Sequence, residues 1–157
     1  MDTNSAYNYL EISSDLRTVM RTNVSQSRPH HPHRFDRCYQ VLCSESFSSG
    51  QFYWEVDVGR SKGECGLGGN DVSWSLQKDN NSFSVWHGGV ATSLSVPEPP
   101  RRVGIHLNWD AGLLSFYSAD SMSLLHSVHQ TFTQHLYPGL WYYHDTVLGV
   151  ICTGNIS

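Results

Sequence analysis

The fold of this chain is decided by Phe52-Tyr53-Trp54-Glu55-Val56-Asp57 and, about fifty residues later, by Leu107-Asn108-Trp109-Asp110-Ala111-Gly112-Leu113-Leu114-Ser115-Phe116-Tyr117. In the first stretch, apolar Phe52, Trp54 and Val56 recur at every second position, which indicates a strand with one face on a core. The second stretch predicts a hairpin that turns at Asp110-Ala111-Gly112, because glycine tolerates a positive φ angle. Together they indicate an antiparallel scaffold.

Short strands separated by turn residues continue along the rest of the chain. The 157 residues are 39% hydrophobic, which suits one domain with a sizeable core. No sustained helical period of 3.6 residues and no internal repeat is present, so the sequence predicts an all-β fold, an antiparallel β-sandwich of two sheets. The predicted strands and breaks are Trp74 to Leu76, a turn at Asp79-Asn80-Asn81, Phe83 to Trp86, Gly88-Gly89, a corner at Pro97 to Pro100, and a last strand over Val147 to Cys152.

Several segments match, in order, the pattern of a known family. The WEV strand at Trp54 and the hairpin ending in Ser115-Phe116-Tyr117 resemble the signature stretches of the PRY-SPRY (B30.2) domain. Further matching segments are Asp2-Thr3-Asn4-Ser5-Ala6, the Leu10 to Val19 stretch, Pro32-His33-Arg34-Phe35-Asp36, Val41-Leu42-Cys43, Gly68 to Leu76, and Tyr137-Pro138-Gly139. The resemblance therefore covers nearly the whole chain.

The resemblance implies a concanavalin-like jelly roll built from two segments. Residues 1–45 would form the PRY segment and residues 46–157 the SPRY segment, the two together making one B30.2 domain. Because residues 1–45 are polar with only short apolar stretches, we expect this segment to be an extension without a core of its own. One feature departs from the family pattern. Its next strand, of the form W-x-V-G-V-A, is absent after Val58, where a polar, glycine-rich stretch follows instead. We therefore expect one family strand to be missing.

Composition argues against several classes of function. A net charge of −4 with scattered basic residues gives no basic face for nucleic acid. No apolar run is long enough to span a bilayer and the N-terminus is polar, so we expect no membrane association and a cytoplasmic location. The histidines His30, His31 and His33 with Cys38 and Cys43 fit no zinc-finger spacing, and no catalytic motif is present. No catalytic residue, metal site or cofactor is therefore predicted.

Two segments are candidates for binding a partner. Leu140, Trp141, Tyr142 and Tyr143 follow Pro138-Gly139, a loop-like position, and include residue types enriched in interface hot spots. They fit equally well as ordinary strand residues with alternate side chains in the core. The resemblance implies that this region forms the ligand-binding face together with the loop after the Ser-Trp strand, which here corresponds to Gln77, Lys78, Asp79 and Asn80. The predicted partner-binding residues are Gln77, Lys78, Asp79, Asn80, Leu140, Trp141, Tyr142, Tyr143, His144 and Asp145.

The resemblance implies a non-catalytic protein-interaction module with a protein partner. Such domains recognise substrates for tripartite-motif (TRIM) E3 ubiquitin ligases, whose activity lies in a RING domain absent from this chain, or serve related innate-immunity proteins. It also implies that a parent chain can oligomerise through a coiled coil. Two alternatives remain open: a truncated or splice-variant fragment without binding activity, favoured by the missing strand, and a metal-dependent enzyme, favoured only by the histidine cluster.

Overall fold

A computed structural model describes residues 1–57, 73–79, 81–143 and 146–153 of the chain. All regular elements in these ranges are β-strands. In chain order they are β1 (Leu10–Ile12), β2 (Val19–Arg21), β3 (Gln40–Leu42), β4 (Gln51–Asp57), β5 (Ser73–Asp79), β6 (Ser82–His87), β7 (Val90–Leu94), β8 (Arg102–Asn108), β9 (Leu113–Ser118), β10 (Leu124–His129), β11 (Leu136–Tyr143) and β12 (Thr146–Thr153).

The strands form two large antiparallel sheets and a small ribbon. One sheet has the order β10-β9-β8-β4, the other has the order β3-β11-β12-β5-β6-β7, and β1 pairs only with β2 among the described strands. Every described strand pairing is antiparallel. Residues of both large sheets share one buried core, so the predicted all-β sandwich is confirmed.

The four-stranded sheet contains both the Phe52 to Asp57 segment and the Leu107 to Tyr117 segment. Strand β4 alternates half-buried and exposed residues along its whole length, with Phe52, Trp54 and Val56 on the less exposed face. Strands β8 and β9 form the predicted hairpin, and Gly112 adopts a φ angle of +66° in its turn. The predicted strand and the predicted hairpin are both confirmed. Each could be predicted because alternation and turn-forming residues are local properties of a sequence.

The core lies between the two sheets. Apolar side chains from β8 and β9 pack against those from β5 and β6. Phe132 and Leu136 are buried in the same cluster. Each fully buried side chain of this kind stabilises the fold by about 1.5–3 kcal/mol. The buried members are Trp74, Leu76, Phe83, Val85, Val103, Ile105, Leu107, Leu114, Phe116, Phe132 and Leu136.

The six-stranded sheet contains strands at the positions that the sequence predicts, separated by the predicted breaks. Strand β5 contains the predicted strand at Trp74, β6 contains that at Phe83, and β7 begins directly after the Gly88-Gly89 break. The closing strand is confirmed as β12, which pairs with both β11 and β5. The prediction that one family strand is missing after Val58 falls on residues outside the described ranges.

The N-terminal segment differs from its prediction as an extension without a core. Ala6, Leu10, Val19 and Val41 form a second buried cluster, against which Leu140 of β11 packs. Short apolar segments that are separated in the sequence build this cluster together, so no single one of them reveals it. The guanidinium groups of Arg28 and Arg34 bind backbone carbonyl oxygens of residues 3–10 and hold the segment in place.

Candidate functional site

The first predicted binding segment lies in a strand and not in a loop. Gln77, Lys78 and Asp79 are the last three residues of β5, where they pair with Ser84, Phe83 and Ser82 of β6. The prediction of a loop over these residues is therefore wrong, because the β5–β6 ladder continues to the turn. Asn80 lies outside the described residues.

The second predicted binding segment is also a strand. Leu140, Trp141, Tyr142 and Tyr143 belong to β11, which pairs with β12 along its length and with β3 over Gly139 to Trp141. The prediction that Leu140 to Tyr143 lie in a loop is thus wrong. The alternative prediction, that they form a strand, is confirmed for the backbone. His144 and Asp145 lie outside the described residues.

Strand order brings the two segments to the same end of the six-stranded sheet. Strand β12 lies between β11 and β5, and its start at Thr146 pairs with Tyr143 at the end of β11. Because β5 runs antiparallel to β12, with Ser75 opposite Val150, the last residues of β5 lie toward the start of β12. The ends of β5 and β11 therefore flank the beginning of β12.

Two of the predicted residues have clear roles in packing. Leu140 is half-buried against the N-terminal cluster, in register with Val41. The Lys78 ammonium lies 5.9 Å from the ring centroid of Phe83, and partial burial lowers the pKa of Lys78. At this end of the sheet, Lys78 therefore covers the buried Phe83 with its charged end.

A cluster of tyrosines, which no pattern in the sequence predicts, adjoins the same end of the sheet. The Tyr7 ring lies 4.9 Å from that of Tyr39, in an edge-to-face arrangement, and 5.5 Å from that of Tyr9. The Arg21 guanidinium carbon is 4.8 Å from the centroid of Tyr39. We call Tyr7, Tyr9, Arg21 and Tyr39 the tyrosine cluster.

Backbone contacts fix the tyrosine cluster beside β11. The Tyr7 amide donates to the carbonyl of Gln40, and Gln40 is in register with Trp141. Burial raises the pKa of Tyr7, with further contributions from neighbouring Tyr39 and Tyr9. Tyr9 remains 36% exposed, so the cluster presents aromatic surface to solvent. Its only signal in the sequence is the Tyr-x-Tyr spacing of residues 7 and 9.

The histidine-rich loop forms a local arrangement of its own. The His31 Nδ1 accepts a hydrogen bond of 3.1 Å from the His33 amide, and the two rings lie 5.2 Å apart. Among the residues that the structure describes, no three His, Cys, Asp or Glu side chains gather as metal ligands would. Within the same ranges there is no helix with the length and hydrophobicity that crossing a membrane requires.

Comparison with known proteins identifies the family to which the chain is similar. The profile described as "SPRY-associated domain" (PRY) matches residues 1–47, and that described as "SPRY domain" matches residues 51–155. The chain is 32% identical over 154 residues to "Nuclear factor 7, ovary" of Xenopus laevis, covering 89% of this chain and 25% of that protein. It is 36% identical over 142 residues to "E3 ubiquitin-protein ligase TRIM11" of Bos taurus, covering 83% and 30%.

A solved structure shares the fold. The crystal structure of the TRIM65 PSpry domain superposes with a TM-score of 0.79 at 28% sequence identity, covering 95% of this chain and 86% of that one. The chain spans only 25% and 30% of the two curated relatives named above, so the likeness concerns one part of each of those proteins. Because the SPRY profile alone matches more than half of its residues, this chain belongs to the SPRY domain family, with a PRY segment preceding the SPRY segment.

Proposed function

We propose that this domain is a protein-recognition module whose binding surface lies where β5 and β11 end beside the tyrosine cluster. The observation that carries the proposal is this convergence, which brings residues from the N-terminal segment, β5 and β11 to one end of the six-stranded sheet. Separate segments of a rigid scaffold that meet at one edge are typical of binding sites. Trp141, Tyr142, Tyr143, His144 and Asp145 remain part of the proposed surface, together with Gln77, Asp79 and Asn80.

The composition of this surface suits a protein partner. Tyrosine, tryptophan and arginine are the residue types that dominate the energetics of protein interfaces. Tyr9 offers exposed aromatic area, and the Arg21 guanidinium is held on the Tyr39 ring. A rigid aromatic side chain loses little conformational entropy when a partner binds, so it contributes contact area at low cost.

The parent context follows from the family. Relatives such as TRIM11 are named E3 ubiquitin-protein ligases, and the present chain is similar to a part of them. We propose that the domain recognises the substrate or ligand of such a ligase, or of a related innate-immunity protein, in the cytoplasm. Catalysis would then belong to a different domain of a parent protein, and this chain would supply only recognition.

The experiment that tests the proposal is capture of partners from cell lysate by the immobilised 1–157 chain, quantified by mass spectrometry. The test variants are Tyr9→Ser and the double variant Asp79→Ala with Trp141→Ala. Partners of the proposed surface should be captured by the unaltered chain and reduced at least tenfold with each variant, because hot-spot truncations cost about 2 kcal/mol or more.

The matched control is Val90→Ser. Val90 is 66% exposed and lies opposite His87, at the other end of β6 from Ser82. This change removes exposed apolar area away from the proposed surface and should leave capture unchanged. Equal capture by all variants, with folding verified by circular dichroism, would show that the recognition surface lies elsewhere on the domain.

A further inference from the structure

A cleft with no lining residue in common with the tyrosine cluster lies elsewhere on the domain. It has a volume of about 600 Å³ and is bounded by the connection between β7 and β8 and by the turn between β9 and β10. Its size is within the range of about 300–1,000 Å³ that is usual for ligand sites. Its lining includes the apolar residues Val96, Leu124 and Leu125 and the acidic residues Glu98 and Asp120.

The cleft combines an apolar surface with negative charge. Val96 and Leu125 pack against the main core, while Leu124 is 54% exposed. Glu98 and Asp120 supply two carboxylates, and none of the described lining residues is basic. Since Lys and Arg are the side chains that complement carboxylates, the cleft suits a ligand that joins a cation to an apolar group.

Two arginines adjoin the cleft in sequence, and the structure gives a backbone contact for the first and guanidinium contacts for the second. Arg101 donates its backbone amide to the Asp120 carboxylate, at 3.0 Å, which fixes this carboxylate at the rim. The Arg102 guanidinium is held on β4, where Nε lies 3.2 Å from Asp57 Oδ1 and Nη1 lies 3.5 Å from Glu55 Oε1. Arg102 is therefore already shared between two carboxylates of β4.

The β9–β10 turn that bounds the cleft also carries an exposed apolar side chain, Met122, outside the cleft lining. Met122 is 57% exposed and has a φ angle of +56°, which is uncommon for a residue with a side chain. Its sulfur lies 3.8 Å from the hydroxyl oxygen of Tyr53, a residue that is 44% exposed. Methionine and tyrosine are both enriched at protein interfaces.

We propose that this cleft binds a segment of a partner protein in which a lysine or arginine adjoins a leucine-like residue. The basic side chain pairs with Glu98 and Asp120, and the apolar side chain packs on Val96 and Leu124. The site shares no residue with the surface proposed above for recognition, so either can fail without the other.

The test uses two synthetic peptides of opposite charge, acetyl-Lys-Leu-Lys-amide and acetyl-Glu-Leu-Glu-amide, added to the ¹⁵N-labelled 1–157 chain. The basic peptide should shift the amide signals of residues 95–101 and 118–125 in a saturable manner. The acidic peptide should shift them much less at the same concentration. Adding salt should weaken binding of the basic peptide, because exposed charge pairs are screened.

The decisive variant combines Glu98→Gln with Asp120→Asn, since both changes remove charge and the asparagine retains an oxygen for the Arg101 amide. We expect the dissociation constant of the basic peptide to rise about three- to tenfold, as two exposed ion pairs are lost. Glu11→Gln, which removes one charge from β1, should leave it unchanged. The proposal is overturned if the basic peptide leaves these amides unshifted, if both peptides shift them equally, or if the double variant binds as tightly as the unaltered chain.

Discussion

The phenol end of Tyr53 in β4 occupies the space above Gly104 in β8 where a Cβ atom would stand. A Cβ built on Gly104 would lie only 2.8 Å from Cε2 and Cζ of Tyr53 and would also overlap its hydroxyl oxygen. The same hydroxyl donates a hydrogen bond of 2.8 Å to Glu55. An aromatic ring that covers a strand glycine shields exposed backbone and fixes the ring, a device known from other sheets.

Replacing Gly104 with alanine should therefore have opposite effects in two backgrounds. In the unaltered chain the new methyl group displaces Tyr53, and we expect a loss of about 1 kcal/mol in the free energy of unfolding. In a Tyr53→Ser background the methyl group meets no ring, so the removal of a flexible strand glycine should stabilise by about 0.5–1 kcal/mol. Urea unfolding of the four chains gives the coupling energy directly. The same effect of Gly104→Ala in both backgrounds would contradict the assigned contact.

The ionisation of Tyr53 provides a second test of this arrangement. Burial raises its pKa to about 12, with further contributions from the hydrogen bond to Glu55 and the charge of Glu55, while Arg102 acts in the opposite direction. A raised pKa means that the folded state holds the proton more tightly than the unfolded chain, whose tyrosine titrates near 10. The stabilisation linked to Tyr53 is thus complete below about pH 10 and is lost as the pH rises toward 12.

The measurement is a carbon NMR titration of the Tyr53 Cζ signal, assigned with a Tyr53→Phe variant. Glu55→Gln should lower the pKa of Tyr53 because it removes the charge, yet leave it above 10 because burial remains. Asp15→Asn removes a carboxylate that binds Ser13 and Arg17 on the N-terminal segment and serves as the control. A Tyr53 pKa that stays at about 12 after Glu55→Gln would show that the carboxylate does not contribute.

Two glycines with similar positive φ angles differ in whether an added Cβ atom would clash with a neighbouring residue. Comparing them distinguishes the cost of backbone strain from the cost of a steric clash. Gly112 and Gly88 have φ angles of +66° and +60°, in the region that residues with a side chain avoid. A Cβ on Gly112 would strike the carbonyl oxygen of Gln130, whereas one on Gly88 would meet nothing within 4 Å. We expect Gly88→Ala to cost about 1 kcal/mol, from backbone strain alone.

Gly112→Ala should cost at least about 2 kcal/mol, because the Gln130 backbone must also move. That movement should disturb the 2.8 Å hydrogen bond from the Gln130 amide to the Gly112 carbonyl. Urea unfolding of both variants measures the difference, and hydrogen exchange at Gln130 locates it. Equal costs for the two glycines would mean that the turn at Gly112 adjusts without resistance.

The parts of the fold that the sequence predicts well are those fixed by neighbouring residues. The alternation in β4 and the turn at Gly112 depend on a few consecutive positions, and both are found in the structure. The resemblance implies a loop at the end of β5, and the polar residues Gln77, Lys78 and Asp79 would also suit a loop. Their pairing with β6 overrides that local preference.

The parts that could not be predicted depend on contacts between distant segments. Pro138 suggested a loop, yet its carbonyl accepts the Cys43 amide at 2.7 Å and the strand continues through it. A proline is tolerated where the strand does not need its missing amide hydrogen. The contact of Tyr7 with Tyr39 likewise joins residues that are distant in the sequence, whose backbones meet where the Tyr7 amide donates to the Gln40 carbonyl, so no local pattern predicts it.

Arg34 should be essential for holding the N-terminal segment on the domain. Its guanidinium donates to the carbonyls of Thr3 at 2.8 Å, Ala6 at 2.9 Å and Pro29 at 3.0–3.1 Å. In Arg34→Lys a single ammonium group replaces this planar fork and cannot reach all three carbonyls at once. We expect hydrogen exchange of the Tyr7 and Phe35 amides, which donate to the Gln40 and Ser5 carbonyls, to accelerate roughly tenfold, or about 1.4 kcal/mol.

The control for this prediction is Arg37→Lys, a change of the same type at an exposed residue of the same segment. Exchange in the β8–β9 hairpin, such as at Ile105, should stay constant in both variants, because the guanidinium hydrogen bonds of Arg34 go to carbonyls within the N-terminal segment. If Arg34→Lys accelerates exchange at Ile105 as much as at Tyr7, the N-terminal segment and the sandwich unfold as one cooperative unit, and the guanidinium stabilises the whole domain. If neither amide changes, the carbonyl contacts of Arg34 are replaced by water without cost.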